Sequence, residues 1–421
     1  MPRRVGRFTG DVLWNVGSLA FLALGGLLVN GLVVSLRGVE ALGVFNQIYA
    51  FYTILSQIGV GGVQFSVLKH VSYVQSDLDV ASETTTVALI LVFALTLPLC
   101  GLGVLVADRL GVLLGSADVG VGVAYVMPGL IFYAANKVLI NTLNGLRRMR
   151  VYAVFRAARF VFIPAFLIAL IAFDAPSNTL AASLTLAELA LFLWLVIYLY
   201  TRVVPIRMPA HFAEYTRAHL SYGVRGMLSG SLIELNTRTD VLILGLLLPD
   251  RVVGYYSFAA ILAEGFAQIP FAVRNNVDPL IGDYFAKAQP ERITDLARQI
   301  RRYFVPALAL LGVGSILAYP LVYALAAGND GLTESWLAYA LLALIQVAVA
   351  AYSPMRGLLL QAGMPGTYTL IMLATFVSNA LLNFLLIPVY GIVGSATATS
   401  ISVVLEIALI VFTSRRHGVR L

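Results

Sequence analysis

Charge is what this sequence has least of. Of 421 residues only 12% are Asp, Glu, Lys or Arg, while 60% are hydrophobic. Soluble domains carry about 25% charged and about 45–50% apolar residues. Half the usual charge cannot solvate the surface of a folded globule, so a soluble enzyme is excluded. The apolar excess also excludes a disordered chain. Cysteine is nearly absent: Cys100, inside an apolar run, is the single one. That excludes a disulfide framework and a Cys-based metal or redox motif. Histidine is scarce too. His70, His211, His219 and His417 fall at the ends of apolar runs, without metal-type pairing, and read as interfacial side chains. No metal or cofactor is expected. No segment outside the apolar runs is long enough for a nucleic-acid-binding module, so nucleic acid is excluded as a partner.

What the sequence does have is a succession of long apolar runs. A spanning helix takes roughly 20 apolar residues. The runs at 12–35, 42–68, 85–107, 119–143, 152–173, 179–200, 220–248, 252–281, 304–327, 335–360, 368–388 and 392–413 predict an all-α membrane protein with twelve transmembrane helices. The first run follows Arg3, Arg4 and Arg7. It is too long for the apolar core of a signal peptide and is read as the first span.

Basic residues test this list independently, because cytoplasmic loops are enriched in Lys and Arg. With a cytoplasmic N-terminus, the outside loops hold only Arg37, Arg109 and Arg251 of the 28 basic residues. Lys137, Arg238 and Arg274 fall within spans, and all the others, Arg156 and Arg159 among them, fall on the cytoplasmic side. A missed or invented span would invert the alternation and spoil this asymmetry. Both termini are therefore expected in the cytoplasm, and the net charge of +7 reads as topology signal and contact with anionic lipid. One connecting segment is itself patterned. After Pro290, the residues Ile293, Leu296, Ala297, Ile300 and Phe304 make an apolar stripe with a basic opposite face, which predicts an interfacial helix.

The chain also divides in half. At an offset of about half its length, Gly43-Val44-Phe45 meets Gly254-Tyr255-Tyr256, and Glu188 and Glu406 each fall in the sixth span of a half. Six is even, so both halves enter the membrane in the same direction. The predicted domains are 1–212 and 213–421, two six-helix bundles related by a pseudo-two-fold axis along the membrane normal, the organisation of alternating-access transporters.

Charges inside the spans are the informative residues, since each costs roughly 2.5–3.5 kcal/mol at a helix centre and marks a function by default. The seventh span carries Glu234, Asn236, Arg238 and Asp240; Glu234 and Arg238 are i, i+4 and can pair. The eighth carries Glu264 and Arg274, and the fourth Lys137. Guanidinium forks suit phosphate oxygens, Lys serves as a point charge, and Asn adds polar contact. Substrate-binding candidates are therefore Arg238, Arg274, Lys137 and Asn236. The carboxylates Asp240, Glu234 and Glu264 are candidates to carry a coupling H+ or Na+. The competing reading is internal pairing of Glu234 with Arg238, and snorkelling of Lys137 and Arg274 to the interface.

Two stretches carry a family resemblance. One is Tyr222-Gly223 … Asn236-x-Arg238-x-Asp240-Val-Leu-Ile-Leu-Gly245 … Val253-Gly254-Tyr255-Tyr256, followed by Ile269-Pro270. The other is Asn379-x3-Asn383-x3-Ile387-Pro388-x-Tyr390-Gly391-Ile392-x-Gly394-Ser395-Ala396-x-Ala398-Thr399. Together they resemble the polysaccharide and O-antigen flippase family of the multidrug/oligosaccharidyl-lipid/polysaccharide exporter superfamily. The resemblance implies a V-shaped pair of lobes with a cationic central cavity, in the plasma (inner) membrane. It implies movement of an undecaprenyl-diphosphate-linked oligosaccharide from the cytoplasmic to the outer face, with no enzyme chemistry. Its implied partners are the lipid-linked oligosaccharide, membrane lipids, and the polymerase and chain-length machinery of polysaccharide assembly. Two alternatives stay open: a cation- or proton-coupled drug extruder of the same superfamily, and a membrane glycosyltransferase or polysaccharide polymerase.

Overall fold

The computed structural model describes the backbone of residues 2–287, 289–416 and 419, and their side chains except at 2–23, 224–226, 228–230, 233 and 290. Arg3, Arg4, Arg7 and His417 lie outside the described side chains.

Long helices follow one another with short joints, and no strand occurs among the described residues. They are α1 (Pro2–Val60), α2 (Val63–Tyr73), α3 (Leu78–Leu113), α4 (Ala117–Gly145), α5 (Met149–Ala172), α6 (Ala182–Arg202), α7 (Phe212–Leu247), α8 (Asp250–Ala286), α9 (Pro290–Gln299), α10 (Val305–Ala327), α11 (Leu332–Ala348), α12 (Leu358–Gln361) and α13 (Pro365–Arg416). Among the described residues eight helices are long and apolar enough to cross a membrane, nine if α11 and α12, bent by 66°, form one broken span. Two of these hold two arms each. α1 breaks at Gly38 (φ 86°) and α13 at Gly391 (φ 57°), both in the left-handed region that a side chain disfavours. The two extra arms bring the number to eleven. α7 is the twelfth, kept off the apolar list by its own charges, so the arms agree with the twelve runs of the sequence.

Helix starts follow local chemistry. Asp77 caps α3 by accepting from Val80 N at 3.1 Å, and Ser116 caps α4 by accepting from Val119 N at 3.2 Å. The patterned segment after Pro290 forms α9 with Ile293, Ala297 and Ile300 buried. It runs into α10 through a π-helical turn at Ile300–Phe304. It is thus an extension of the ninth span rather than a detached interfacial helix.

Packing divides the chain into two units, Gly43–Asp250 and Met1–Leu42 with Arg251–Leu421. These are packing units, a different division from the halves expected at 1–212 and 213–421 from the sequence offset. In the first unit Val60, Val67, Ala135, Val138, Leu139, Leu191 and Leu195 share one core. The joint between α1 and α2 is set against α7 without room for a side chain. A Cβ on Gly62 (φ 73°) would fall on the Gly223 carbonyl. Small residues permit such backbone approach in lipid, where tight packing replaces the hydrophobic effect. Nearby, His219 is fully buried. Its Nδ1 lies 2.9 Å from Ser66 Oγ and its Nε2 3.1 Å from Thr84 O. His219 is therefore a core residue and not an interfacial one: two polar partners on neighbouring helices make its burial tolerable.

Candidate functional site

Residues 43–250 hold a polar cluster inside an apolar bundle. It is built from the second arm of α1 and from α4, α5, α6 and α7. Arg159 of α5 reaches Glu188 of α6, with Nη2 donating to Oε2 at 3.1 Å and Nε 2.5 Å from Oε1. Glu188 is 2% exposed, so its charge requires this partner. Asn136 of α4 adds two bonds, its Nδ2 donating to Glu188 Oε2 at 2.8 Å and to the Glu188 carbonyl at 2.9 Å. Beside this pair the Lys137 ammonium donates to Ser56 Oγ at 2.9 Å.

Aromatic rings carry the cations. The Tyr133 ring has the Arg159 guanidinium 4.1 Å and the Lys137 ammonium 4.4 Å from its centroid. Tyr52 stacks on Tyr133 at 5.2 Å and donates its hydroxyl proton to the Gly129 carbonyl at 3.0 Å. A desolvated cation gains about 2 kcal/mol or more from such a ring face. On α7, Arg238 Cζ lies 5.3 Å from the Tyr49 centroid and its Nε is 3.6 Å from Glu234 Oε1. This is the i, i+4 pairing that the spacing predicts. Lys137 and Arg159 share the Tyr133 ring and Arg159 pairs with Glu188, so these four side chains form one group, with the Glu234–Arg238 pair on α7.

The remaining candidates are placed as follows. Asp240 is 8% exposed and its Oδ1 accepts from Val241 N at 2.8 Å. Asn236 is half-buried on the same helix. Arg274 and Glu264 belong to the other unit, half-buried along α8. Arg274 meets Asp278 at 3.3 Å, and Asp278 lies against Gly357 where α11 gives way to α12. In that unit Arg356 pairs with Glu406 at 3.1 Å. Glu188 and Glu406 are thus both neutralised by arginine, Glu188 from α5 and Glu406 from the joint between α11 and α12.

Sequence reasoning missed Arg159. It stands among the cytoplasmic basic residues by position, yet the structure puts it inside α5 as the counterion of Glu188. A basic residue in the second or third turn of a span reads as flank unless its partner is known. That partner is on another helix. Tyr52 and Tyr133 gave no signal beyond ordinary aromatic content.

The last stretch of the resemblance also acquires a physical meaning. The two arms of α13 fold back as a hairpin. Ser395 donates to Asn383 Oδ1 at 2.7 Å and Asn379 Nδ2 donates to Thr399 at 3.3 Å, while Asn383 Nδ2 donates to Asn379 Oδ1 at 3.0 Å. These pairs converge on a corner at Tyr390–Gly391. Gly394 is pressed against the Leu386 carbonyl. The motif is a polar ladder with a glycine corner.

Comparison with known proteins places this architecture. The fold is similar to the inward-facing conformation of a multidrug resistance MATE family transporter of the MOP superfamily. The TM-score is 0.75 at 14% identity, over 92% of this chain and 93% of that one. It is also similar to the lipid II flippase MurJ in an inward closed conformation, with a TM-score of 0.71 at 14% identity, over 96% and 87% of the two chains. A curated relative, the probable flippase AglR of Haloferax volcanii, is 29% identical over 177 residues. That match covers 39% of this chain and 35% of AglR. The fold is that of the MOP-superfamily membrane transporters. Residues 11–266 match the model of the polysaccharide biosynthesis protein family, and the chain belongs to that family.

Proposed function

We propose that this protein flips an undecaprenyl-diphosphate-linked oligosaccharide, an O-antigen or exopolysaccharide repeat unit, from the cytoplasmic to the outer face of the plasma membrane by alternating access. The observation that carries the reading is the set of three cations in residues 43–250. Lys137 and Arg159 sit on Tyr133, and Arg238 sits on Tyr49. A guanidinium held on an aromatic face keeps in-plane donors for phosphate oxygens, and an ammonium there serves as a point charge. Family membership and the names of the relatives support the same direction. In this reading Lys137, Arg238, Asn236 and Arg274 contact the substrate. Asp240, Glu234 and Glu264 serve a coupling H+ or Na+. Both termini are cytoplasmic, the six-helix halves move as lobes, and the process is transport without bond chemistry. The polymerase and chain-length machinery receive the product.

A cation-coupled drug extruder of the same fold is the second reading. Organic cations would be repelled by Lys137 and Arg238, which favours the anionic lipid. The test is flipping in proteoliposomes with a short-chain isoprenoid-diphosphate-linked saccharide, comparing wild type with Arg238→Ala and Lys137→Ala at matched insertion. The reading expects movement by wild type that both substitutions abolish. Proton-driven export of organic cations without movement of the lipid would replace it with the extruder.

A further inference from the structure

Cations without carboxylate partners gather at one end of the Arg251–Leu421 unit. Elsewhere in that unit Arg251, Arg274, Arg298 and Arg356 each meet an Asp or Glu. Arg301, Arg415 and Arg416 form no ion pair among the described residues. Arg415 lines a groove of about 440 Å³ between the end of α11 and the last turns of α13, and Arg301 and Arg416 each stack on a ring that lines it. Its walls are apolar, with Val349, Val404, Ala408 and Phe412, and Tyr352 and Arg415 also line it. Arg301, from the π-helical turn between α9 and α10, stacks over the Tyr352 ring at 5.2 Å, and Arg416 over the Phe412 ring at 4.3 Å. Both rings belong to the groove, so each guanidinium is held at its edge with its donors still available. Among the described residues no carboxylate lines it; Glu406, on the same arm of α13, is committed to Arg356.

We infer that this groove binds one anionic phospholipid, with an acyl chain along Val404, Ala408 and Phe412 and the phosphate among Arg301, Arg415 and Arg416. Basic pockets between spanning helices at the membrane surface take anionic head groups, and arginine forks match phosphate oxygens. The apolar wall selects a lipid over a free phosphate, which has no use for it. Length selects a bilayer lipid over a polyprenyl carrier. From Val404 to Arg415 the helix rises about 16 Å, roughly half the hydrocarbon thickness, which suits one leaflet's acyl chain. The site stands apart from the transport reading above and does not depend on it.

Native mass spectrometry of the full-length protein in detergent, titrated with phosphatidylglycerol or with phosphatidylcholine of the same acyl chains, tests the assignment. The expected result is preferential retention of phosphatidylglycerol. Arg301→Gln with Arg415→Gln should weaken it by about tenfold or more, from the loss of two interfacial cations. Ala408→Trp, which fills the groove and leaves every charge, should weaken it too. Arg292→Gln, an exposed change in the first turn of α9 whose guanidinium stacks on Tyr284, should leave it unchanged. Equal retention of the two lipids, or equal loss in the α9 control, would reduce the site to general surface charge and overturn the inference. So would full competition by glycerol phosphate, or indifference to Ala408→Trp, since either makes the acyl chain irrelevant. Preference for a polyprenyl diphosphate over phosphatidylglycerol would overturn it as well.

Discussion

Arg159 and Glu188 form an ion pair between α5 and α6, with side chains 20% and 3% exposed. Removing one partner of a buried pair costs about 3–5 kcal/mol, because the other charge is left uncompensated. Arg159→Leu and Glu188→Leu should each lower the thermal unfolding midpoint of the purified protein substantially. The double variant should lose less than the sum of the two. Strict additivity in this cycle would mean that the pair contributes no coupling.

Lys137 should behave differently. It holds one hydroxyl and one ring face, and no carboxylate hydrogen-bonds to it. Lys137→Met replaces a half-buried charge with an apolar chain of similar length, so stability should hold or rise. Flipping of a diphosphate-linked lipid should fall by about tenfold or more, the worth of a charge-assisted bond. Unchanged flipping beside unchanged stability would remove Lys137 from the substrate path.

The hairpin of α13 predicts a purely structural defect. Asn383→Leu deletes the bonds to Asn379 and Ser395 and should cost about 1–2 kcal/mol, as interhelical polar bonds in membranes do. Gly391→Ala forces a side chain into the left-handed region, for a further loss of about 1–2 kcal/mol. Transport per correctly folded molecule should stay at the wild-type level in both. A transport defect at full stability would assign the ladder a role in movement.

Acid should loosen the connection between α6 and α7. Arg207 donates to Asp79 through Nε at 2.8 Å, and this bond, more than the bare charge, holds the Asp79 carboxyl below the usual carboxylate range. The depressed value means that the pair's contribution is complete above the ordinary carboxylate pKa of about 3.9 and is lost as pH falls through the lowered one. The site is exposed, so the effect is local and weakens with salt. Hydrogen exchange across 203–211 should be faster in Asp79→Asn than in wild type at neutral pH, with the difference closing in strong acid. Identical exchange at neutral pH would show that Ser82, which donates to the Pro205 carbonyl at 2.5 Å, and Glu83, which accepts from His211 N at 2.5 Å, hold the segment without the Asp79 pair.

Hydropathy and the sidedness of arginine made the twelve arms readable, since both are local properties of a chain crossing lipid. The Glu234–Arg238 pair was readable because i, i+4 neighbours meet on any helix. The same rule applies to Arg274 and Asp278, which also meet on one helix, α8. The Arg159–Glu188 and Arg356–Glu406 pairs were not readable. Each joins segments whose neighbourhood only the folded bundle defines. His219 failed for the same reason: its polar partners come from α2 and α3, far away in the chain. A position at the end of an apolar run says nothing about what another helix brings to it.

The turn inside α13 has no loop. Two arms of a 52-residue helical stretch reverse direction at one glycine, and the first rung of the ladder joins Asn383, about two turns before it, to Ser395, about one turn after. An epitope tag or protease site inserted there would have to part bonded helices before it reached solvent, so that corner should reject insertions. The segment at 203–211, with its open backbone, is the better place to put one.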